Sequence, residues 1–427
     1  MRPWTRDSRN GKHAIFRRHV RLSGYRPAGD FGDILLRGGP PVTPISAADL
    51  ARYRRDEFPG SADFVYLNHA STGPLPERTR RAVDDFNRKR TAPHTLTDAW
   101  IFSMLDECRE LAARLINADP REIALATNTT FGLGLAALMV RCRPGDIVLT
   151  PDREFPANVY PWMRLKEQGV VLEQIPVTRE GWPDEDRIVE RLADPRVRVL
   201  TISLVQFSNG FQVDLARLSA ATRKSGALLV VDAIQGIGQV PVDVRKTPVD
   251  ILACGGQKWL LSPWGSGFMY VRNELIAELD PPITGWMAYE GTDDFTQLTT
   301  YRETLRDNAR RFEMITLPYQ DFAGMRESLT LLLAIGVEEI SRHILSLHAP
   351  VIEWARRMGV PVRSPEGIHG SGILCVAPPR VAQVQDSLRA ANIIASLREG
   401  SIRVSPHFYN TLEEMARVVE TLEAAVR

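Results

Sequence analysis

Leu228-Leu-Val-Val-Asp-Ala-Ile-Gln235, followed by Asp250-Ile-Leu-Ala-Cys-Gly-Gly-Gln-Lys-Trp-Leu-Leu-Ser-Pro-Trp-Gly-Ser-Gly267, decides the fold. The first run is an apolar strand that delivers an aspartate, Asp232, at its carboxyl end. The second delivers a lysine, Lys258, 26 residues further on, inside a glycine-rich turn. Open α/β sheets bind ligands at that edge, outside the carboxyl ends of their strands. Taken alone, Asp232 is accounted for by capping the helix that follows it, and Lys258 by a solvated loop. Taken together, with Gly255 and Gly256 allowing close backbone approach, they point to a shared chemistry.

Outward from this segment, short apolar runs alternate with helical patterns from Tyr66 onward, as in a mostly parallel sheet covered by helices. The runs predict strands over 123–127, 147–150, 171–175, 199–204, 228–232 and 251–253. Most lack alternation, as expected where both faces of a sheet are covered. Helices are predicted over 77–89, 97–116, 130–140, 161–168, 183–192 and 216–225. Long helices follow at 320–335 and 337–358. Pro361, Pro365, Gly367, Gly370 and Gly372 then punctuate the way into a strand at 373–376, a helix at 380–391 and a strand at 401–405. The expected organisation is a basic leader over 1–45, a large α/β domain over 46–330 whose N-terminal segment joins the small domain, and a small α+β domain over 331–427.

Composition excludes several classes. Lysine plus arginine number 53 against 52 acidic residues, so no net field recruits nucleic acid or a membrane surface. The four cysteines, Cys108, Cys142, Cys254 and Cys375, contain no CxxC pair and suit neither a disulfide framework nor a zinc site. A cytoplasmic protein with small-molecule or protein partners is expected.

The chemistry comes from combining Asp232 and Lys258. Pyridoxal phosphate needs a lysine for its Schiff base and an acid that keeps its ring nitrogen protonated, so that the ring acts as an electron sink. A phosphate anchor is then required. Ala126-Thr-Asn-Thr-Thr-Phe-Gly-Leu-Gly134 leaves a strand and opens a helix, where free amides and the helix dipole hold anions and Thr129 and Thr130 can add hydroxyls. A threonine N-cap explains the same residues, but the order anchor, aspartate, lysine favours the cofactor.

Seven motifs carry a resemblance: Tyr66-Leu-Asn-His-Ala-Ser-Thr-Gly-Pro-Leu-Pro76, Asn128-Thr-Thr130, Glu154-Phe-Pro-Ala-Asn-Val-Tyr-Pro-Trp162, Asp232-Ala-Ile-Gln235, Gly256-Gln-Lys-Trp259, Arg311-Phe-Glu313 and Ile402-Arg-Val-Ser-Pro-His-Phe-Tyr-Asn-Thr411. In their order they resemble the class V aminotransferase-type, fold type I pyridoxal phosphate enzymes, in the branch of cysteine desulfurases, selenocysteine lyases and isopenicillin N epimerase-like proteins. The resemblance implies a large domain around a mainly parallel seven-stranded sheet and a small α+β C-terminal domain. It implies that Lys258 is the Schiff-base lysine, that Asp232 pairs with the ring nitrogen, that Gln235 reaches the phenolic oxygen and that Phe155 covers one ring face. Thr129, Thr130 and Gln257 would lie at the cofactor, and Thr316 would reach the phosphate of a neighbouring subunit in a homodimer. Arg403 would bind an amino acid α-carboxylate, with Arg398, His69 and Asn209 as further substrate-binding candidates and Gln206 and His407 as possible lining.

The chain departs from desulfurases in three places. Ser396-Leu-Arg-Glu-Gly-Ser-Ile-Arg403 leaves no room for the loop that carries their nucleophilic cysteine, and Cys375 falls inside an apolar strand. Gly255 and Gln257 stand where serine and histidine are usual. Met314-Ile315 replaces a small residue plus glycine. The expected activity is therefore that of an aminotransferase or a C–S/β-lyase without an enzyme persulfide, acting on an L-amino acid or its conjugate after Cα–H cleavage. An epimerase and a non-catalytic binding protein are the alternatives.

Overall fold

The computed structural model describes residues 45–427. The basic leader expected over 1–45 therefore lies outside the described residues, Ile45 excepted. The strands run in chain order β1 (Val65–Tyr66), β2 (Ile123–Leu125), β3 (Ile147–Pro151), β4 (Val171–Ile175), β5 (Val197–Ser203), β6 (Leu228–Asp232), β7 (Ile251–Gly255), β8 (Gly267–Val271), β9 (Leu374–Val376), β10 (Ile393–Ile394), β11 (Ser396–Arg398) and β12 (Ser401–Val404).

Seven of them form one sheet in the order β2-β8-β7-β6-β5-β3-β4. The strands β3 and β7 are buried along their whole length, which explains their unbroken apolar composition. Strands β4, β3, β5, β6 and β7 pair in parallel, and β8 runs antiparallel to both β7 and β2. No strand was expected over 267–271. Its connection from β7, residues 256–266, is too short for a covering helix, so the chain must return antiparallel. The expected helix over 161–168 is a short α-helix, Tyr160–Met163, continued by a 3-10 turn, Arg164–Gln168. Two helices, Ala47–Glu57 and the four-residue Asn273–Ile276, were not anticipated; the first is capped by Ser46.

The sheet β11-β12-β9 is separate from the seven-stranded one, and its Ile402, Val404, Leu374 and Val376 pack with Trp354, Val384 and Met415 of the adjoining helices in a core of their own, the unit expected as the small domain. Strand β1 pairs in parallel with β10, and Arg54 forms an ion pair with Glu414, so the N-terminal segment is bound to that domain. The link between β11 and β12 is a two-residue turn, Glu399-Gly400, with both residues at positive φ (43° and 73°), the geometry that suits a tight antiparallel hairpin.

Candidate active site

Strands β6 and β7 end side by side, with Asp232 paired in register with Ala253. Asp232 is 2% exposed and accepts the backbone N–H of Ile234 at 3.1 Å. Burial, with the nearby Glu154 carboxylate adding to it, pushes its carboxyl up to about 7. Lys258 follows β7 in a loop clamped from the other side by the 70–73 turn. Gly73 N–H donates to Gln257 O at 2.8 Å, and a Cβ on Gly73 would lie 2.3 Å from Lys258 O, so only glycine fits there. The Lys258 amine is brought down to about 8, mainly by desolvation. Among the described residues neither Asp232 nor Lys258 has an ion-pair partner within 4 Å.

Phe155 is 42% exposed and stands edge-on to Phe207, with the Lys258 Nζ 5.7 Å from its ring centroid. Its carboxylate neighbour, Glu154, is buried and accepts from Ser203 N, Ser203 Oγ and Gln206 Nε2. Gln206 is thereby engaged by Glu154. Gln235 donates through Nε2 to Ala70 O and accepts from Trp259 Nε1, both at 2.9 Å, which leaves one amide N–H for a ligand.

The expected anchor opens the helix Thr129–Met139. Its N-cap is Asn128, whose Oδ1 accepts from Phe131 N at 2.9 Å, so neither threonine is needed as a cap. Thr129 is buried with its Oγ1 accepting from Gly255 N at 2.8 Å, whereas Thr130 is exposed. A Cβ at Gly255 would lie 3.2 Å from Thr129 Oγ1 and 2.6 Å from Gln257 Oε1, a close-fitting cradle that explains glycine where serine was noted as usual. Thr316 is exposed, close in sequence to Pro318, which Gly265 approaches.

On β12, Arg403 is 1% exposed. It donates from Nη1 to Phe207 O (2.8 Å), from Nη2 to Ser71 Oγ (2.6 Å) and from Nε to Ser396 Oγ (3.2 Å). No carboxylate lies within 4 Å of it among the described residues. Desolvation lowers it to about 10. Three of its five N–H groups are used, and one remains on each terminal nitrogen, the fork that grips a carboxylate.

One substrate-binding candidate is corrected. The Nδ1 of His69 donates to Ser405 O (2.8 Å) and its Nε2 accepts from Tyr409 OH (2.9 Å), so no ring nitrogen is left for a substrate. The amide of Asn209 donates to Gly181 O and accepts from Phe211 N, which leaves one of its two N–H groups for a ligand. His407 is also closed off, by Trp259 O and Phe408 N. These two histidines pack with Trp259 and Tyr409 in a buried aromatic hub that fastens the small domain to the Lys258 loop. Ser71, Ser396 and Phe207 O, which orient Arg403, and Glu154, which lies beside Asp232, were not anticipated as site groups. Ser71 and Glu154 sit inside two of the motifs quoted above, but their partners come from distant segments.

A cofactor with a cationic ring nitrogen, a carbonyl and a phosphate fits these groups. A buried, unpaired carboxylate suits the nitrogen, an unpaired amine of lowered pKa suits the carbonyl, and the helix start at Thr129 suits the anion. Fold and site thus define a fold type I α/β enzyme of amino-acid chemistry. The family model for class V aminotransferases matches residues 65–356, and the chain belongs to that family, whose cofactor is pyridoxal phosphate.

A probable cysteine desulfurase from Methanothermobacter thermautotrophicus is 32% identical over 394 residues, 86% of this chain and 96% of the relative. The isopenicillin N epimerase of Amycolatopsis lactamdurans is 28% identical over 84% of this chain and 94% of its own length. The apo structure of a cysteine desulfurase from Thermococcus onnurineus NA1 matches with a TM-score of 0.79 at 25% identity, covering 88% of this chain and 98% of that one. Among the described residues no helix is long and apolar enough to cross a membrane.

Proposed function

We propose that this class V enzyme binds an L-amino acid or amino-acid conjugate by its α-carboxylate at Arg403 and moves the Cα proton with Lys258, without an enzyme persulfide. Transamination or β-elimination is the expected outcome. The observation that carries the reading is the buried, carboxylate-free Arg403 on the small domain, in the same site as a lysine whose pKa is about 8. An amine near that value exists in both protonation states close to neutral pH and can take and return a proton.

Bound pyridoxal phosphate supplies an electron sink for the pair released at Cα. Asp232 would accept the N–H of its ring, whose positive charge would draw the carboxyl back toward its ionised form. The remaining Gln235 N–H would donate toward the phenolic oxygen, the Phe155 ring would cover one face, and Thr129, Thr130 and Gln257 would bound the phosphate end. Arg403 fixes the α-carboxylate and so sets which Cα bond stands opposite Lys258.

The persulfide route lacks its nucleophile. Between β11 and β12 the chain makes only the two-residue turn 399–400, and Cys375 is buried in β9 with its thiol raised to about 12 by desolvation. A second copy of the chain belongs to the same reading. Trp264 and Trp286 are exposed, and the backbone beside them, at Gly265 and Gly285, abuts Pro318 and residues 313–315 on either side of Thr316. A homodimer covering them would bring Thr316 toward the partner's phosphate end, and light scattering should give twice the chain mass.

The experiment is an absorbance spectrum with pyridoxal phosphate for the wild type and Lys258→Ala, followed by titration with a panel of amino acids. A yellow wild type whose band is lost in the variant supports the lysine assignment. Release of a keto acid with the cofactor converted to its amine form marks transamination; pyruvate plus a thiol marks a lyase; inversion of the substrate's chirality favours the epimerase. A colourless protein that cannot be reconstituted overturns the proposal.

A further inference from the structure

The hairpin β11–β12 has two unlike faces. Ile402 and Val404 are fully buried and pack, with Leu374 and Val376 of β9, against the helices of the small domain. Side chains alternate along a strand, so Ser401 and Arg403 occupy the opposite face, and Arg403 there reaches Phe207 O and Ser71, outside the small domain. The register pairs Ser396 with Arg403 and Arg398 with Ser401. Residues directly opposite share a face, so Ser396 and Arg398 also point to the site side. Ser396 confirms the orientation by accepting from Arg403 Nε at 3.2 Å.

Arg398 is therefore a second guanidinium on the site face, diagonal to Arg403, with Cβ atoms about 7–8 Å apart by strand geometry. It is exposed, and among the described residues it has no carboxylate within 4 Å. Burial is the main cause of the lowered pKa values of Lys258 and Arg403, and the charge of Arg398 adds a smaller lowering to both. Most surface arginines of this chain answer an acidic neighbour, as Arg80 does Glu77 and Arg196 does Asp194. Arg398 sits on a hairpin closed by a two-residue turn, so its backbone position is fixed relative to Arg403.

We propose that Arg398 is a specificity-determining residue that binds a second, distal carboxylate, so that the substrates are dicarboxylic amino acids or conjugates ending in a carboxylate. The proposal rests on Arg403 taking the α-carboxylate. With that group held in the buried fork, a side chain of two to four carbons carries its distal carboxylate outward to the exposed guanidinium. A half-solvated pair of this kind adds selectivity more than affinity, on the order of tenfold.

Calorimetric titration of the full chain, with and without pyridoxal phosphate, tests this using probes that carry no amine: glutarate as the dicarboxylate and butyrate as the monocarboxylate. The wild type should bind glutarate roughly tenfold more tightly, and the advantage should shrink steeply with added salt. Arg398→Gln should bring the two acids to equal affinity by weakening glutarate alone, while Arg398→Lys keeps part of the difference. Equal affinity of both acids in the wild type, or an unchanged ratio in Arg398→Gln, overturns the second seat and leaves Arg403 standing. Binding of neither acid overturns the carboxylate seat at Arg403 and this proposal with it. Circular dichroism of each variant establishes that it is folded.

Discussion

Two buried arginines sit in different parts of this molecule and are treated in opposite ways. Arg109, 4% exposed on the helix Asp98–Ile116, donates from Nε and Nη2 to the two oxygens of Glu313 at 2.8 and 2.6 Å. That carboxylate also accepts from Leu125 N at 2.9 Å, which fastens β2 to the pair. Desolvation lowers Arg109, but Glu313 outweighs it and leaves the guanidinium raised. Arg403 is as deeply buried, yet it meets only hydroxyls and a carbonyl, and its pKa falls to about 10. A cation withdrawn from water without a counter-charge is costly. One region is finished within the chain; the other holds a buried cation with no counter-charge among the described residues.

The largest effect should come from breaking the finished region. Glu313→Gln leaves the buried Arg109 with only the half-exposed Asp106, 2.6 Å from Nη1, as counter-charge, and loss of the bidentate pair should cost about 3 kcal/mol in denaturant unfolding. The double variant Arg109→Met, Glu313→Leu should recover most of that stability, because an apolar pair carries no desolvation penalty. If the single variant unfolds at the wild-type midpoint, the contrast between the two arginines fails.

Arg403→Gln should behave in reverse. The cofactor-free protein should keep its stability to within about 1 kcal/mol, because the hydrogen bonds lost are offset by removal of an unpaired charge. Binding of an amino acid carboxylate should weaken by about 3 kcal/mol, a factor of about 100 or more. Parallel chemical unfolding and ligand titration separate the two quantities. A large loss of stability with little loss of binding would make Arg403 a structural residue like Arg109.

The same contrast explains what was legible beforehand. Asp232, Lys258 and Arg403 stood out because each sits inside a local motif, Asp232 at the end of β6, Lys258 in the turn after β7 and Arg403 within β12. The Arg311-Phe-Glu313 motif was visible too, but the partner of Glu313 is 204 residues away, and spacing along the chain says nothing of it. His69 looked available because a lone histidine in a glycine-bounded turn shows no partner; Ser405 and Tyr409, which occupy both its nitrogens, arrive from the C-terminal segment. Strand β8 was missed because its glycines resembled part of the lysine turn. What stayed hidden was long-range pairing, which separates a charge kept open from one already answered.

A smaller effect separates the carboxylates. The folded Asp232 titrates near 7 and the unfolded residue near 3.8, so between those values the folded state holds a proton that the unfolded chain has released. Stability of the cofactor-free protein therefore falls as pH rises across this window, and the penalty is complete above it. Asp232→Asn removes the charge but keeps a buried amide, so the gain at pH 8 should be about 2 kcal/mol and near zero at pH 4. The same variant should bind pyridoxal phosphate more weakly. Unfolding midpoints that shift equally at both pH values would show that Asp232 is not a strained, waiting carboxylate.

The smallest effect concerns the apolar wall between the open charges. Phe155 keeps 42% of its surface exposed although it stands 5.7 Å from Lys258 Nζ and edge-on to Phe207, an unusual position for a ring that serves only packing. If it covers a face of the cofactor ring, Phe155→Ala removes one stacked pair, worth about 1 kcal/mol, and pyridoxal phosphate should dissociate about fivefold more readily. Stability of the cofactor-free protein should change by less than that, because a half-exposed ring buries little area. Phe155→Tyr keeps the ring and should restore retention. Equilibrium dialysis with dye-free detection of the cofactor measures all three. Equal retention in wild type and Phe155→Ala would place the ring outside the open region and on the finished side of the comparison.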